Sequence, residues 1–152
     1  MRQIEQMYSQ SVRVLNTIAP MGDLLIRLWV ANVFFQSGLA KLQNWDGTLF
    51  LFQSEYQVPL LSPLLAAYAG TTAELVLPVF LALGLVTRFS ALGLFVFNIV
   101  AVLSYADLME VGLKDHQHWG LLLLVPLLHG AGKLSLDRLL QRRFAGKPEG
   151  AI

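Results

Sequence analysis

The residues most able to do chemistry stand inside apolar runs. The run from Pro63 to Thr87 carries one charge, Glu74, near its middle. A first run, Met21 to Leu42, is interrupted by Asp23, Arg27 and Lys41. A third, Phe89 to Ala106, holds Asn98 near its centre, and a fourth, Gln117 to Leu134, holds His118 and His129. A charge at such a position is costly unless it is paired, hydrated or snorkelled to the surface. Glu74, Arg27, Asn98, Lys41, His118 and His129 therefore form the candidate polar site. In an apolar bundle these groups can hold a small lipophilic molecule and relay protons to it. The alternative is structural, a satisfied polar network that joins helices. These residue types alone define no catalytic role.

Other chemistries are set aside. His116 and His118 form H-x-H, but two imidazoles need further ligands such as Asp115, Asp107 or Glu110, so no metal is assigned. Lys41, Asp46, Asp107, Asp115, His116 and His118 read instead as a polar collar edged by Trp45, Tyr105 and Trp119. His118 and His129 lie roughly 16 Å apart along one helix, which does not suit a bis-histidine haem. Cysteine is absent, which excludes a thiol relay within the chain. There is no glycine-rich phosphate loop, nucleophile elbow, H-E-x-x-H or dinucleotide fingerprint.

The elements that must position these groups follow from composition. The chain has 152 residues, 55% of them hydrophobic and only 14% charged, with a net charge of +1. A soluble domain of this length has too little interior for so much apolar surface. The small net charge, with no clustered basic face, excludes nucleic-acid binding. A membrane helix needs about 20 apolar residues, and the four runs come near that length. They lack the alternation of barrel strands. The expected fold is all-α, a membrane-embedded four-helix bundle.

Three parts are expected. Residues 1–20 form a cytoplasmic N-terminal segment, read as an ordinary tail or an interfacial helix; no signal-peptide cleavage pattern follows it. Residues 21–136 hold the four transmembrane helices, and residues 137–152 are a basic cytoplasmic tail. Val86 to Phe89 makes a tight turn, so the second and third helices are antiparallel neighbours. In the long first link, residues 48–52 suggest a short helix that lies in the interface or folds back into the bundle. Ser135 reads as the cap of a terminal amphipathic segment.

Basic residues set the orientation. With both termini cytoplasmic, Arg2, Arg13, Arg88, Lys133, Arg138, Arg142, Arg143 and Lys147 lie inside, against Lys41 and Lys114 outside. Counted from the cytoplasmic helix ends, Arg27 lies roughly 9 Å deep and Glu74 roughly 20 Å deep. Arg27 can snorkel, pair with Asp23, or reach towards Glu74. Gly70 and Ala73 share a face with Glu74, which turns the acid inward. Pro78 then frees its carbonyl.

Arg27-Leu28 with Gly38-Leu39-Ala40-Lys41-Leu42 resembles the first-helix signature of the DoxX family. Ala73-Glu74-Leu75 and Leu83-Gly84-Leu85-Val86-Thr87-Arg88 are similar to its second helix and turn. His129-Gly130-Ala131-Gly132-Lys133-Leu134-Ser135-Leu136-Asp137 is similar to its fourth-helix exit. The likeness covers roughly residues 20–140. It implies a small four-helix protein of the bacterial inner membrane, with Arg27, Lys41, Glu74 and Arg88 as characteristic polar positions. It also implies an accessory subunit of a redox or oxidative-stress system, since the broader family includes a subunit type linked to thiosulfate:quinone oxidoreduction. No intrinsic cofactor is expected, and quinone is the candidate ligand. If the chain takes part in catalysis, it does so as a quinone-linked oxidoreductase subunit and not as a complete enzyme. Expected partners are membrane lipids and a soluble or membrane redox protein, with a homo-oligomer as a further option. The alternatives are a non-catalytic membrane scaffold and, less favoured without an inverted repeat, a small transporter.

Overall fold

Six helices account for the described chain in the computed structural model, which covers residues 2–105 and 110–144. They are α1 (Arg2–Gln43), α2 (Trp45–Ser54), α3 (Pro63–Leu83), α4 (Thr87–Ser104), α5 (Glu110–His129) and α6 (Leu136–Phe144). The long helices touch in a closed circuit: α1 against α3, α3 against α4, α4 against α5, and α5 back against α1. The broadest of these contacts is between α1 and α3, and α2 packs on both.

The inside-out pattern of a membrane protein is evident. Trp29, Val76, Phe89, Leu92, Val96, Ile99 and Leu121 are exposed, whereas Arg27, Glu74, Asn98, Ser90 and Thr71 are buried. A small apolar core of Val30, Phe34, Leu81, Leu94 and Leu123 joins the four long helices. Helices α1, α3 and α4 are each long and apolar enough to cross a membrane. The first turns of α5 carry Lys114 and Asp115, and its apolar part starts at Trp119.

Residues 2–20 do not form a separate element but continue directly into α1, with Pro20 inside the helix. A helix of 42 residues is roughly 63 Å long, about twice the thickness of the hydrocarbon layer. Its N-terminal half, with Arg2, Glu5 and Arg13, therefore extends beyond that layer.

Two apolar runs end earlier than their hydropathy suggests. The second stops as a helix at Leu83, because Gly84 takes the left-handed conformation (φ 68°) and donates its N–H back to Leu81 and Phe80. The fourth stops at His129, where Gly130 (φ 82°) and Gly132 (φ 69°) turn the chain. Glycine is the residue that adopts such angles without a Cβ penalty. The fourth helix also starts before Gln117, at Glu110.

The first three caps are local. Asn44 accepts the N–H of Gly47 at 3.1 Å and opens α2. Ser62 accepts from Leu65 at 3.4 Å ahead of Pro63, the first residue of α3. Ser135 accepts from Arg138 at 3.3 Å and caps α6. Helix α4 has no side-chain cap of its own, since Val86 precedes it in a left-handed conformation (φ 47°). Asp137, from the far end of the chain, supplies that cap. Its carboxylate accepts the N–H groups of Val86 (2.8 Å) and Thr87 (3.0 Å) and the Thr87 hydroxyl (3.0 Å). Asp137→Ala is expected to lower stability by about 1–2 kcal/mol, read as earlier thermal loss of helicity in micelles. A variant that melts with the parent would remove this role.

Candidate functional site

Two polar clusters occupy opposite ends of the helix circuit. Arg27 and Lys41 are fourteen positions apart on α1, roughly 21 Å, and belong to different clusters.

Glu74 forms the first. On α1, Ser37 and Lys41 are four residues apart and so share a face. Gly38 stands beside them. A Cβ there would lie 3.0 Å from the Glu74 Cβ and 3.1 Å from its main-chain carbon. Its absence lets α3 come close enough for a direct ion pair. Lys41 Nζ donates to Glu74 Oε2 at 2.6 Å, to Oε1 at 2.9 Å and to the Ser37 hydroxyl at 2.9 Å. Ser37 in turn donates to Oε1 at 3.0 Å. Glu74 is buried and Lys41 partly so. Gly70 is buried and Ala73 half-buried on the same side of α3.

Asn98 on α4 is joined to His116 on α5 by two hydrogen bonds. Asn98 Nδ2 donates to the His116 carbonyl at 2.9 Å, and Asn98 Oδ1 meets His116 Nδ1 at 2.7 Å. Trp119 packs edge-on against both His116 and Phe34.

Between the ion pair and this Asn–His pair lies a cavity of about 450 Å³, with Ser37, Lys41, Glu74, Tyr56, Tyr105 and His116 among its lining residues. The rest of the wall is largely apolar, from Val33, Phe34, Phe52, Phe97 and Trp119. The segment after α2 closes one side. Gln57 donates its N–H to Ser104 at 2.8 Å, and Tyr56 packs edge-on against Phe52 and Tyr105. Thr48 ties α2 to α1 through the Lys41 carbonyl at 3.1 Å. Burial raises the Tyr56 hydroxyl above the usual tyrosine range, and Tyr105, Glu55 and Glu74 add to this, so it stays protonated. A chamber this size, mainly apolar with a few convergent polar groups, is the usual form of a small-molecule site.

A shallow apolar groove lies along α3 beside the cavity, lined by Leu65, Tyr68, Thr72 and Val76. Ala69 and Ala73 line both concavities. Ala69 is exposed, so small side chains form the wall between cavity and lipid face.

Arg27 anchors the other cluster and meets neither lipid nor Glu74. It is 1% exposed, and its guanidinium donates to the carbonyls of Leu81 and Leu134. It thus ties the end of α3 to the segment that leads into α6. A side chain on Gly84 would strike Arg27 and Ser135. His129 is exposed in a broad groove at this end, with Arg88, Lys133, Arg138, Asp23 and Asp137. Arg88 donates to the Leu128 carbonyl at 3.3 Å.

Of the six candidate residues, the structure brings Glu74 and Lys41 into contact and sets Asn98 behind the cavity wall through His116. Arg27 and His129 are at the opposite end, and His118 is exposed on α5. The histidine that lines the cavity is His116, which the sequence alone places in the collar. On a helix, residues two apart point to different sides, so His116 and His118 do not chelate together. Asp107 lies outside the described residues. Among the described residues no group of three or more metal-ligating side chains comes together.

A helical membrane protein with a polar-ended internal cavity is the class that this geometry defines. The DoxX family model matches residues 22–107, more than half of the chain, and the chain belongs to that family. A second model, described as TQO small subunit DoxD, matches residues 66–149. Ser37, Gly38, Lys41, Glu74 and Asn98 fall within the first match, and His116 falls within the second. The chain is 34% identical over 133 residues to an uncharacterized protein of Haemophilus influenzae, covering 82% of this chain and 86% of that protein. It is 29% identical over 141 residues to a Bacillus subtilis protein named "Putative oxidoreductase CatD", covering 91% of this chain and 98% of that one. No solved structure matches it.

Proposed function

We propose that this DoxX-family membrane protein is an accessory subunit of a quinone-linked redox system, and that it binds quinone or a similar lipophilic molecule in the cavity between Glu74 and His116. The observation that carries this reading is the cavity itself, an apolar chamber with an ion pair at one side and an imidazole in its lining. The groove along α3 supports a ligand with an alkyl chain, which would leave the chamber past Ala69 and Ala73. The names of the DoxD model and the Bacillus relative support a redox setting. Conversion of a quinone to a quinol takes two electrons and two protons. The chain has no cysteine, so the electrons are assigned to a donor protein and the protons to groups of this chain. The protein is placed in the bacterial inner membrane, with α5 as a fourth crossing and both termini cytoplasmic, as the basic residues favour.

Native mass spectrometry of the protein, extracted gently from its own membrane, tests this reading. A released quinone in stoichiometric amount is expected. A chain that carries no small molecule and takes up neither added decyl-benzoquinone nor its hydroquinone would overturn the proposal. A reproducible protein partner without a small molecule would instead favour a scaffold.

A further inference from the structure

The polar groups around the cavity differ in whether they offer hydrogens or lone pairs, and that difference selects a ligand. The carbonyl oxygen of His116 can only accept, so the Asn98 atom facing it at 2.9 Å must be the amide nitrogen. The other amide atom is then the oxygen, and it also can only accept. His116 Nδ1, 2.7 Å from it, must therefore carry a hydrogen. In the neutral imidazole this fixes one tautomer, with a bare lone pair on Nε2. Because Nδ1 is held by Asn98, Nε2 is the ring nitrogen left to a ligand in the cavity that His116 lines.

At the ion pair the ammonium hydrogens are already spent. Lys41 has three, and it makes three contacts, to Oε1, Oε2 and the Ser37 oxygen. The Ser37 hydrogen is given to Oε1. Ser104, also in the lining, gives its hydrogen to the Val100 carbonyl at 2.6 Å. What Glu74 retains is accepting capacity, since a carboxylate has about four lone-pair sites and only three contacts are made here. Tyr56 and Tyr105 carry hydroxyls that can give or take, and Trp119 adds an indole donor.

We propose that the cavity is specific for a ring bearing hydroxyl groups, a hydroquinone or related phenol, ahead of the same ring in its quinone form. The juxtaposition of His116, locked by Asn98, with Glu74, locked by Lys41 and Ser37, carries this assignment. A hydroquinone can donate to both fixed acceptors and still accept from Tyr56 or Trp119. A quinone can only accept, so it leaves the lone pairs of Glu74 and His116 facing an acceptor. A site built to pair with a hydroxyl discriminates strongly against an analogue that lacks it. His116 is thus a specificity-determining residue, and Asn98 a positioning residue that acts through it.

This inference rests on the quinone-binding reading, and the test separates the two. The full chain in lipid nanodiscs is titrated with decyl-benzoquinone, with its hydroquinone under anaerobic reducing conditions, and with the dimethyl ether of the hydroquinone. Binding is read by equilibrium dialysis. The hydroquinone is expected to bind at least ~10-fold more tightly than either of the others, as for loss of one well-made hydrogen bond of about 1.4 kcal/mol. Asn98→Leu frees the ring and is expected to erase most of that preference. Nitrogen-15 NMR of the His118→Gln, His129→Gln protein reads the His116 tautomer directly and is expected to show hydrogen on Nδ1. Quinone bound as tightly as hydroquinone, or hydrogen on Nε2, overturns the proposed selectivity and leaves quinone binding intact. Failure of all three rings to bind overturns both.

Discussion

Lys41→Met is expected to abolish ligand binding and to cost the folded protein about 3 kcal/mol. Removing one partner of a buried pair leaves the other uncompensated, a loss of about 3–5 kcal/mol when both are well buried. Lys41 retains 22% exposure against 6% for Glu74, which places the expectation at the lower end. The loss should be local in cause. Glu74 keeps only the Ser37 hydroxyl, and the wall of the cavity then carries a carboxylate with no counter-charge. The double variant Lys41→Met, Glu74→Leu removes both charges and is expected to recover most of the stability but none of the binding. Reversible unfolding in mixed micelles and ligand dialysis measure the two effects separately. A single variant as stable as its parent, or a double variant no better than the single one, would show that the pair does not carry this energy.

Gly38→Val is the second large effect. The Cβ would sit 3.0 Å from the Glu74 Cβ and 3.1 Å from its main-chain carbon. Backbone cannot swing aside, so α1 and α3 must separate at their broadest contact. Overpacking of this kind costs about 1–3 kcal/mol. The displacement also opens the 2.6 Å contact between Lys41 and Glu74, so binding should fall by more than stability alone implies. Gly93→Ala is the matched control. Its Cβ would meet the Leu77 Cδ1 at 2.9 Å, a flexible side-chain end that can rotate away. Gly93→Ala is expected to keep binding near the parent level while Gly38→Val loses it; equal losses in dialysis would remove the special place given to Gly38.

These two expectations rest on features of unequal visibility. Glu74 stands out in sequence because a lone charge within a long apolar run has a high desolvation cost. Gly70 and Ala73 mark its inward face through helical spacing. The Ser135 cap and the tight link into α4 are legible locally, whereas hydropathy carries the second run on to Thr87 and the left-handed Gly84 ends α3 at Leu83. His116 is less visible in the sequence. It neighbours Asp115 and lies two residues from His118, which reads as polar collar. Only the helical start of α5 at Glu110 separates the two histidines onto different sides. The signal available in sequence was Asn98, a buried amide that needs both a donor and an acceptor partner. An adjacent histidine backbone and ring supply both.

By itself the sequence determined an all-α membrane protein of the DoxX family, its helical runs, the cost of Glu74 and the absence of thiol chemistry. Composition, period and capping act over a few residues, so they are legible without coordinates. The tertiary structure decided which polar residues meet. It gave Glu74 to Lys41, sent Arg27 to the carbonyls of Leu81 and Leu134 at the other end, and supplied the cap of α4 from Asp137. It also continued residues 2–20 into α1. The physical reason is range. Helical rise and side-chain reach set how deep a charge lies, but its partner on another helix depends on rotation and close approach. Here a single missing Cβ at Gly38 settles that approach.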